Sequence, residues 1–302
     1  MRSQWTRNVR EAVKAVPGAR PAGVRVRAAV QALSRSARRW AGCSDAGRLA
    51  ALGNRHAGRR GWIVANGPSL AEMDLSLLEG EVTFGCNSIF LLYDRLSWQP
   101  TYYCVEDPLV AEDNAAAIRA LTGSLKLVPR DLRHLLPRDE RTIHVEFVRG
   151  EPPGFPRFSD RADRVTWFGG TVVYYMLQLA AWMGLDPIYV IGADMSYHVP
   201  STARIDGEVI TSTTNDVNHF HPSYFGPGKR WHKPYPERMM RCLAHAGQHL
   251  SRRGVHLYNA TRGGLLEELP RVRYEDVLAK SAFPDAVRNP SAGSEYGMSR
   301  QK

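Results

Sequence analysis

The segment from Thr213 to Pro236, TTNDVNHFHPSYFGPGKRWHKPYP, places His219, His221 and His232 beside Asp216, Tyr224, Lys229, Arg230 and Trp231. Histidine titrates near neutral pH, so a neutral imidazole here is suited to take the proton of an attacking hydroxyl. Two histidines at i and i+2 can share a face, but no cysteine or third spaced histidine completes a familiar zinc set, and general-base chemistry is the better use. The stretch is too long and polar for a simple connection and reads as a lid-like loop. Any one of these histidines alone would ordinarily be a surface side chain, so the three compete for the role.

A second set of polar residues closes apolar runs. GWIVANGPSL runs into Asn66-Gly67-Pro68-Ser69, VTFGCN into Asn87-Ser88, TYYCVED into Glu106-Asp107-Pro108, and PIYVIGAD into Gly192-Ala193-Asp194. Gly67 lets the backbone approach a ligand or take positive φ, Pro68 fixes the next turn, and Ser69 is placed to cap a helix beginning at Leu70, with Glu72 three residues on. Such a helix N-terminus offers backbone N–H groups to phosphate. The same four residues also fit a plain capped strand-to-helix turn.

The elements that must position these groups follow from apolar patterning. Runs at 62–66, 82–87, 101–107, 125–129, 143–148, 187–194 and 255–260 lack strict alternation, which predicts central strands of a mostly parallel sheet. In GGTVVYYMLQLAAWMG, residues Val172, Met176, Leu179, Ala180 and Met183 share a helical face that Gly184 ends; between Pro236 and Gly254, residues Met239, Leu243, Ala246 and Leu250 do the same. Each helix leads into a strand, the rhythm of a doubly wound, Rossmann-like α/β sheet whose ligand crevice lies at the carboxyl ends of its strands. The reading is one main domain over 61–278, a basic arm over 1–60 and a polar, disordered tail over 279–302. There is no internal repeat.

The charge is uneven. Residues 1–60 carry thirteen Arg and one Lys against Glu11 and Asp45, a net of +12, and the chain's +10 leaves the remainder at −2. Between Val24 and Trp40 the arm reads equally as an amphipathic helix on an anionic membrane surface, where each basic residue is worth about 1 kcal/mol, and as a solvated or docked extension. Nucleic acid is not the expected partner, since the arm lacks interleaved aromatics and the body is slightly acidic. The four cysteines are scattered and read as reduced, buried thiols. No apolar run approaches the roughly 18–20 residues of a membrane span, and no secretory h-region opens the chain, so the expected location is cytoplasmic, peripheral to the inner membrane face if the arm binds lipid.

Taken together, VANGPSL, FGCNS, VEDP, GGTVVYYMLQLAAWMG, IYVIGADMSY and the His-rich loop before the last helix resemble one superfamily over roughly residues 61–278. It resembles the bacterial sialyltransferase-like glycosyltransferases of surface glycan assembly and, equally, relatives of the archaeal 6-hydroxymethylpterin diphosphokinase. The first branch implies a CMP-sugar donor, a glycan acceptor and an inverting transfer that requires no cofactor or metal. On that resemblance Asn66, Gly67, Pro68 and Ser69 form the turn at the donor nucleotide, Asn87 closes the second strand, and Gly170 and Thr171 form a small-hydroxyl turn. Gly192, Asp194 and Met195 match a Gly-x-Asp-aromatic segment, His232 is the favoured base, and Tyr224 helps neutralise the departing phosphate. Two departures stand out: Pro227 to Trp231 separate Gly226 from His232, leaving His219 and His221 as rival bases, and Met195 replaces an aromatic.

The second branch implies ATP, magnesium as cofactor, and Asp107 with Asp194 as its oxygen ligands. A third reading, of a different class, is a catalytically silent nucleotide-binding module serving polysaccharide assembly.

Overall fold

The computed structural model describes residues 44–279. The expectations for a lipid-bound helix over 24–40 and for nearly all of the tail lie outside the described residues. The secondary structure opens with α1 (Ser44–Ala50) and then runs through β1 (Gly61–Val64), β2 (Val82–Cys86), β3 (Tyr102–Cys104), α2 (Pro108–Asp113), α3 (Ala115–Ala120), β4 (Leu125–Pro129) and β5 (Thr142–Val145). It continues with β6 (Phe147–Val148), β7 (Thr166–Trp167), α4 (Val172–Trp182), β8 (Ile188–Ile191), β9 (Arg204–Asp206), β10 (Val209–Thr211), β11 (Arg230–His232), α5 (Pro236–Ser251), β12 (Leu257–Asn259) and α6 (Tyr274–Ala279).

Seven strands form one all-parallel sheet in the order β12-β8-β1-β2-β3-β4-β5. All seven sequence-predicted runs supply one of its strands. Successive residues of β1 alternate between the two faces: Ile63 and Ala65 join a core under α4 and α5, whereas Trp62 and Val64 join a second core with α2 and α3. Because both faces are covered, the strands carry apolar residues on both sides, which is why the runs lack strict alternation. The chain lays β1 to β5 outward in one direction and then returns to place β8 on the other side of β1, so the strand order reverses between β1 and β8. That reversal is a topological switch point, where the loops leaving the two strands part and open a crevice.

The two predicted helices are present. In α5 the residues Met239, Leu243, Ala246 and Leu250 are buried as a stripe, and Cys242 joins them. In α4 every residue from Val173 to Ala180 is buried, so it is a core helix rather than a one-sided one.

Four expectations are corrected. The segment after β1 is not a capped α-helix but a 3-10 turn, Pro68–Glu72, whose N-cap residue is Gly67 and makes no side-chain cap. The strand expected at 143–148 splits into β5 and β6, and β6 pairs with β7 outside the main sheet. The lid-like loop is tied into a three-stranded antiparallel sheet, β11-β10-β9, of which β11 lies within the loop and β9 and β10 precede it. The domain also begins before residue 61: α1 places Leu49 in the core, Leu52 follows it there, and Asp45, buried at 2% exposure, pairs with the buried His144 of β5.

Ties from the small sheet to α2 hold the lid down. Lys229 Nζ donates to Asp113 O at 2.9 Å and to Asn114 Oδ1 at 3.0 Å, and the Arg230 guanidinium pairs with Asp113 and Glu112. His232 Nδ1 lies 2.9 Å from Asp107 Oδ2, at the residue capping α2.

Candidate functional site

The carboxyl ends of β1, β2 and β8, the first turn of α4 and the loop between β10 and β11 surround one cleft. Asn66, Gly67, Asn87, Thr171, Gly192, Asp194, Met195, His219 and Tyr224 all line it. The cleft has a volume of about 80 Å³ and is partly open to solvent. The structure thus gathers nine of the predicted residues although they come from five separate stretches of chain. Pro68 and Ser69 lie just behind it in the 3-10 turn, and Gly170 lies against Arg238. His221, Asp107 and His232 do not line it.

Close packing of β1 against β8 explains the glycine at 67. Its φ of −64° is ordinary, so positive φ is not the reason for it. A Cβ there would lie 1.8 Å from Asp194 Oδ2 and 2.7 Å from Gly192 O. The absent side chain lets the Asp194 carboxylate reach Ser69, whose hydroxyl donates at 2.8 Å and whose backbone N–H donates at 3.3 Å. Ser69 therefore fixes Asp194 rather than capping a helix. Burial pushes the Asp194 carboxyl above the usual range, opposed by the Ser69 hydrogen bonds and by the nearby His219. Gly67→Ala is expected to destabilise the fold by about 1–3 kcal/mol, the usual cost of forcing a methyl group into packed space. An unfolding midpoint in urea unchanged from that of the parent chain would show that Asp194 moves aside freely.

Two non-glycine residues at the cleft, Asn87 (φ 50°) and Met195 (φ 58°), occupy the left-handed region. Asparagine tolerates that conformation; methionine there is strained and is kept only where the surroundings over-determine it. Asn66, at 5% exposure, donates from Nδ2 to Cys86 O at 3.2 Å and to Cys86 Sγ at 3.0 Å. That bond to a carbonyl oxygen fixes the amide orientation and leaves Asn66 Oδ1 buried without a partner; Asn87 Oδ1 is also buried without one. A buried, unmade hydrogen bond costs about 1–3 kcal/mol, and two acceptors on the cleft wall carry that cost.

His219 lines the same cleft. Its Nδ1 lies 2.7 Å from Asp216 Oδ2, and its ring stacks on Tyr224 at a centroid distance of 3.8 Å and 6°. Burial would raise the Asp216 carboxyl, but the hydrogen bond and charge of His219, with the N–H groups of Asn218 and Phe225, outweigh it and hold the carboxyl below its ordinary value. An ionised Asp216 accepts the Nδ1 proton and leaves Nε2 as the basic nitrogen. Tyr224 is buried, and burial raises its phenol well above the ordinary value, with Cys86 adding to the rise and Asn87 and Ser88 opposing it, so it remains a donor.

His232 forms a second His–Asp pair on the outer strand of the lid, with its side chain 45% exposed. The hydrogen bond it donates to Asp107 raises its pKa against the effect of burial. His221 Nδ1 accepts the Ser223 N–H at 3.1 Å, a local turn contact.

Asp107 and Asp194 do not stand at adjacent strand ends, as the magnesium expectation required. Their strands, β3 and β8, are separated by β1 and β2, three strand spacings or about 14 Å. That span does not fit one magnesium ion with ligands at about 2.1 Å. Among the described residues no group of three or more His, Cys, Asp and Glu is arranged to hold a metal ion, and no helix is long and apolar enough to cross a membrane.

Residues not singled out in the sequence complete the cleft. Asn218 brackets the backbone of His198, accepting its N–H at 2.6 Å and donating to its carbonyl at 2.8 Å. Tyr197 and Cys86 line the wall, with their pKa values each raised by burial to about 12. Thr261 Oγ1 accepts the Ala193 N–H at 3.1 Å, and Leu265 N donates to Asp194 O, so the loop after β12 supports the Asp194 turn. The Asn218 signal was readable as a third asparagine-type residue in NDVNHF; the others are set by tertiary packing.

Fold and cleft together define an α/β protein of Rossmann-like architecture with its ligand crevice at the switch point of a parallel sheet. No family model, no curated protein and no solved structure matches the chain.

Proposed function

We propose that the chain is a transferase for a nucleotide-activated donor, a glycosyltransferase that moves a sugar from a CMP-sugar to a hydroxyl of a glycan acceptor. The observation carrying this reading is that the unpartnered oxygens of Asn66 and Asn87 share one cleft with a His219–Asp216 pair. Ribose hydroxyls and an exocyclic amino group are donors of the kind those oxygens lack. The first turn of α4, at Thr171 and Val172, adds backbone N–H groups and the positive end of the helix dipole for the donor phosphate. The cleft's 80 Å³ is smaller than the several hundred Å³ typical of ligand pockets, so one moiety seats there and the rest of the donor runs along the strand ends.

In the reaction, His219 Nε2 takes the acceptor hydroxyl proton as that oxygen attacks the anomeric carbon. The bond from that carbon to the phosphate oxygen breaks, and its electrons leave with the nucleotide, whose charge the α4 terminus and the Tyr224 hydroxyl offset. His219 is preferred to His232 as base because it lines the cleft. Nucleotide stabilisation in thermal unfolding tests the reading: CMP, CDP, UDP, GDP and ATP are compared with and without magnesium. CMP without metal is expected to stabilise the fold by about 2.7 kcal/mol at a hundredfold excess over its Kd. Stabilisation by ATP with magnesium alone, or by no nucleotide, would overturn it.

A further inference from the structure

The polar strand ends do not stop at Asn87. Along the sheet order the carboxyl-end residues run Asp194, Asn66, Asn87 and then Glu106, which follows β3 one strand spacing, about 5 Å, further on. Continuing the alternation of β3, Glu106 falls on the face of Cys104, beneath α4. Arg149, which follows β6, lies 3.8 Å from its carboxylate, and the charge of Glu106 is felt at Tyr175 of α4. Tyr175 packs edge-on against Phe147 at 5.4 Å, and the Arg149 guanidinium lies over the same Phe147 ring at 5.1 Å.

Two polar groups here are left without hydrogen-bond partners among the described residues. Glu106 is 7% exposed, and among the described residues its carboxylate accepts no hydrogen bond; its ion pair is Arg149, 3.8 Å away. The Tyr175 hydroxyl is buried and has no hydrogen-bond partner. Each omission costs about 1–3 kcal/mol, more for a charged group. Polar groups left unmatched side by side at a strand end, next to a cleft with the same defect, are matched to a ligand.

We propose that Glu106, Tyr175 and Arg149 form a subsite for the hydroxyl groups of a neutral sugar ring, one strand spacing along the sheet edge from the Asn66–Asn87 cleft. The assignment to sugar rests on the transferase reading above. Charge selects a neutral ring: Glu106, Asp107 and Asp131 surround the site with three carboxylates, against which stand Arg149, already paired with Asp131, and His232, paired with Asp107. An anionic group placed there would meet like charge. A sugar hydroxyl can donate to the carboxylate and accept from the phenol or the guanidinium at once, which answers every unmatched group.

The ring could belong to the donor or to the acceptor, and affinities separate the two. Binding to the full chain, to Glu106→Gln and to Tyr175→Phe is measured by calorimetry for the methyl glycosides of galactose, glucose and N-acetylglucosamine, with and without CMP. The pairs UDP and UDP-glucose, and GDP and GDP-mannose, are measured alongside. If the ring is the acceptor's, a methyl glycoside binds and either substitution weakens it about tenfold. If it is the donor's, a nucleotide-sugar binds more tightly than its nucleotide, and either substitution removes about a tenfold margin. A cooperative thermal transition is expected of both variants and serves as the control for misfolding.

Sugar affinities that ignore both substitutions would overturn the subsite and reduce the cluster to a site for buried water; so would the absence of any sugar binding to the unaltered chain. Nucleotide binding combined with that result leaves the transferase reading standing, whereas Glu106-dependent glycoside binding without any nucleotide binding removes the transferase reading and keeps the subsite.

Discussion

Replacing His219 by alanine is expected to lower sugar transfer by about 10²–10⁴-fold while nucleotide affinity changes little. That is the usual contribution of a positioned general base, and it requires that the base act on the acceptor hydroxyl and not on the nucleotide. The geometry supports the separation, because the unmatched carboxamide oxygens belong to β-strand ends, whereas His219 descends from the lid with its Nδ1 committed to Asp216. Asp216→Asn should reproduce much of the loss: an amide presents no charge to the imidazolium formed as the proton arrives, and it can hold the wrong tautomer. His232→Ala supplies the contrast. Its side chain is half-exposed, tied to Asp107, and outside the cleft lining, so its loss should weaken the seating of the lid on α2 and leave transfer within a few-fold of the parent. Single-turnover transfer measured at saturating donor distinguishes the two. A large loss in His232→Ala with near-parent rates in His219→Ala would reassign the base to the outer pair.

That choice of base marks where the sequence stopped being legible. The seven strands could be read because burial on both faces imposes continuous apolar runs, and the strand-end polar residues could be read because a parallel sheet collects them at one edge. Asn66, Asn87 and Asp194 were found by that logic alone. The partnership of Asp194 with Ser69 spans 125 residues, so local pattern favoured a helix cap that does not form. Both His219 and His232 have an aspartate partner, one three residues away and the other 125 away, and only the folding of the lid decides which faces the cleft. The lid's strands escaped notice for a physical reason. They are three residues each, β9 is exposed throughout, and their stability comes from ties such as Lys229 to Asp113, not from an apolar face. Helix α1 was hidden in the arginine-rich arm, although Leu49 and Leu52 bind it to the core.

The Glu106 carboxyl carries a consequence that needs no ligand. Burial raises its pKa from an ordinary 4.5 to about 7, with Arg149 opposing the shift, Asp107 and Asp131 adding to it, and His232 opposing it. The folded-state value lies above the unfolded one, so between about pH 4.5 and 7 the folded chain retains a proton that the unfolded chain releases. Stability must then fall as pH rises through that window, by about 1.4 kcal/mol per unit and about 3 kcal/mol in all, and level off above it. Glu106→Gln is neutral at every pH and removes that slope. Urea unfolding of both chains at pH 4.5, 6, 7 and 8 tests this, since the constant effect of the substitution cancels when the difference at pH 8 is compared with that at pH 4.5. The variant is expected to gain about 3 kcal/mol relative to the parent across the range; a difference independent of pH would show that Glu106 titrates as an ordinary solvated carboxyl. The same substitution is expected to weaken sugar binding. A change that stabilises the fold above neutral pH and loses the ligand is the signature of a residue held for function against the interest of stability, as active-site residues commonly are.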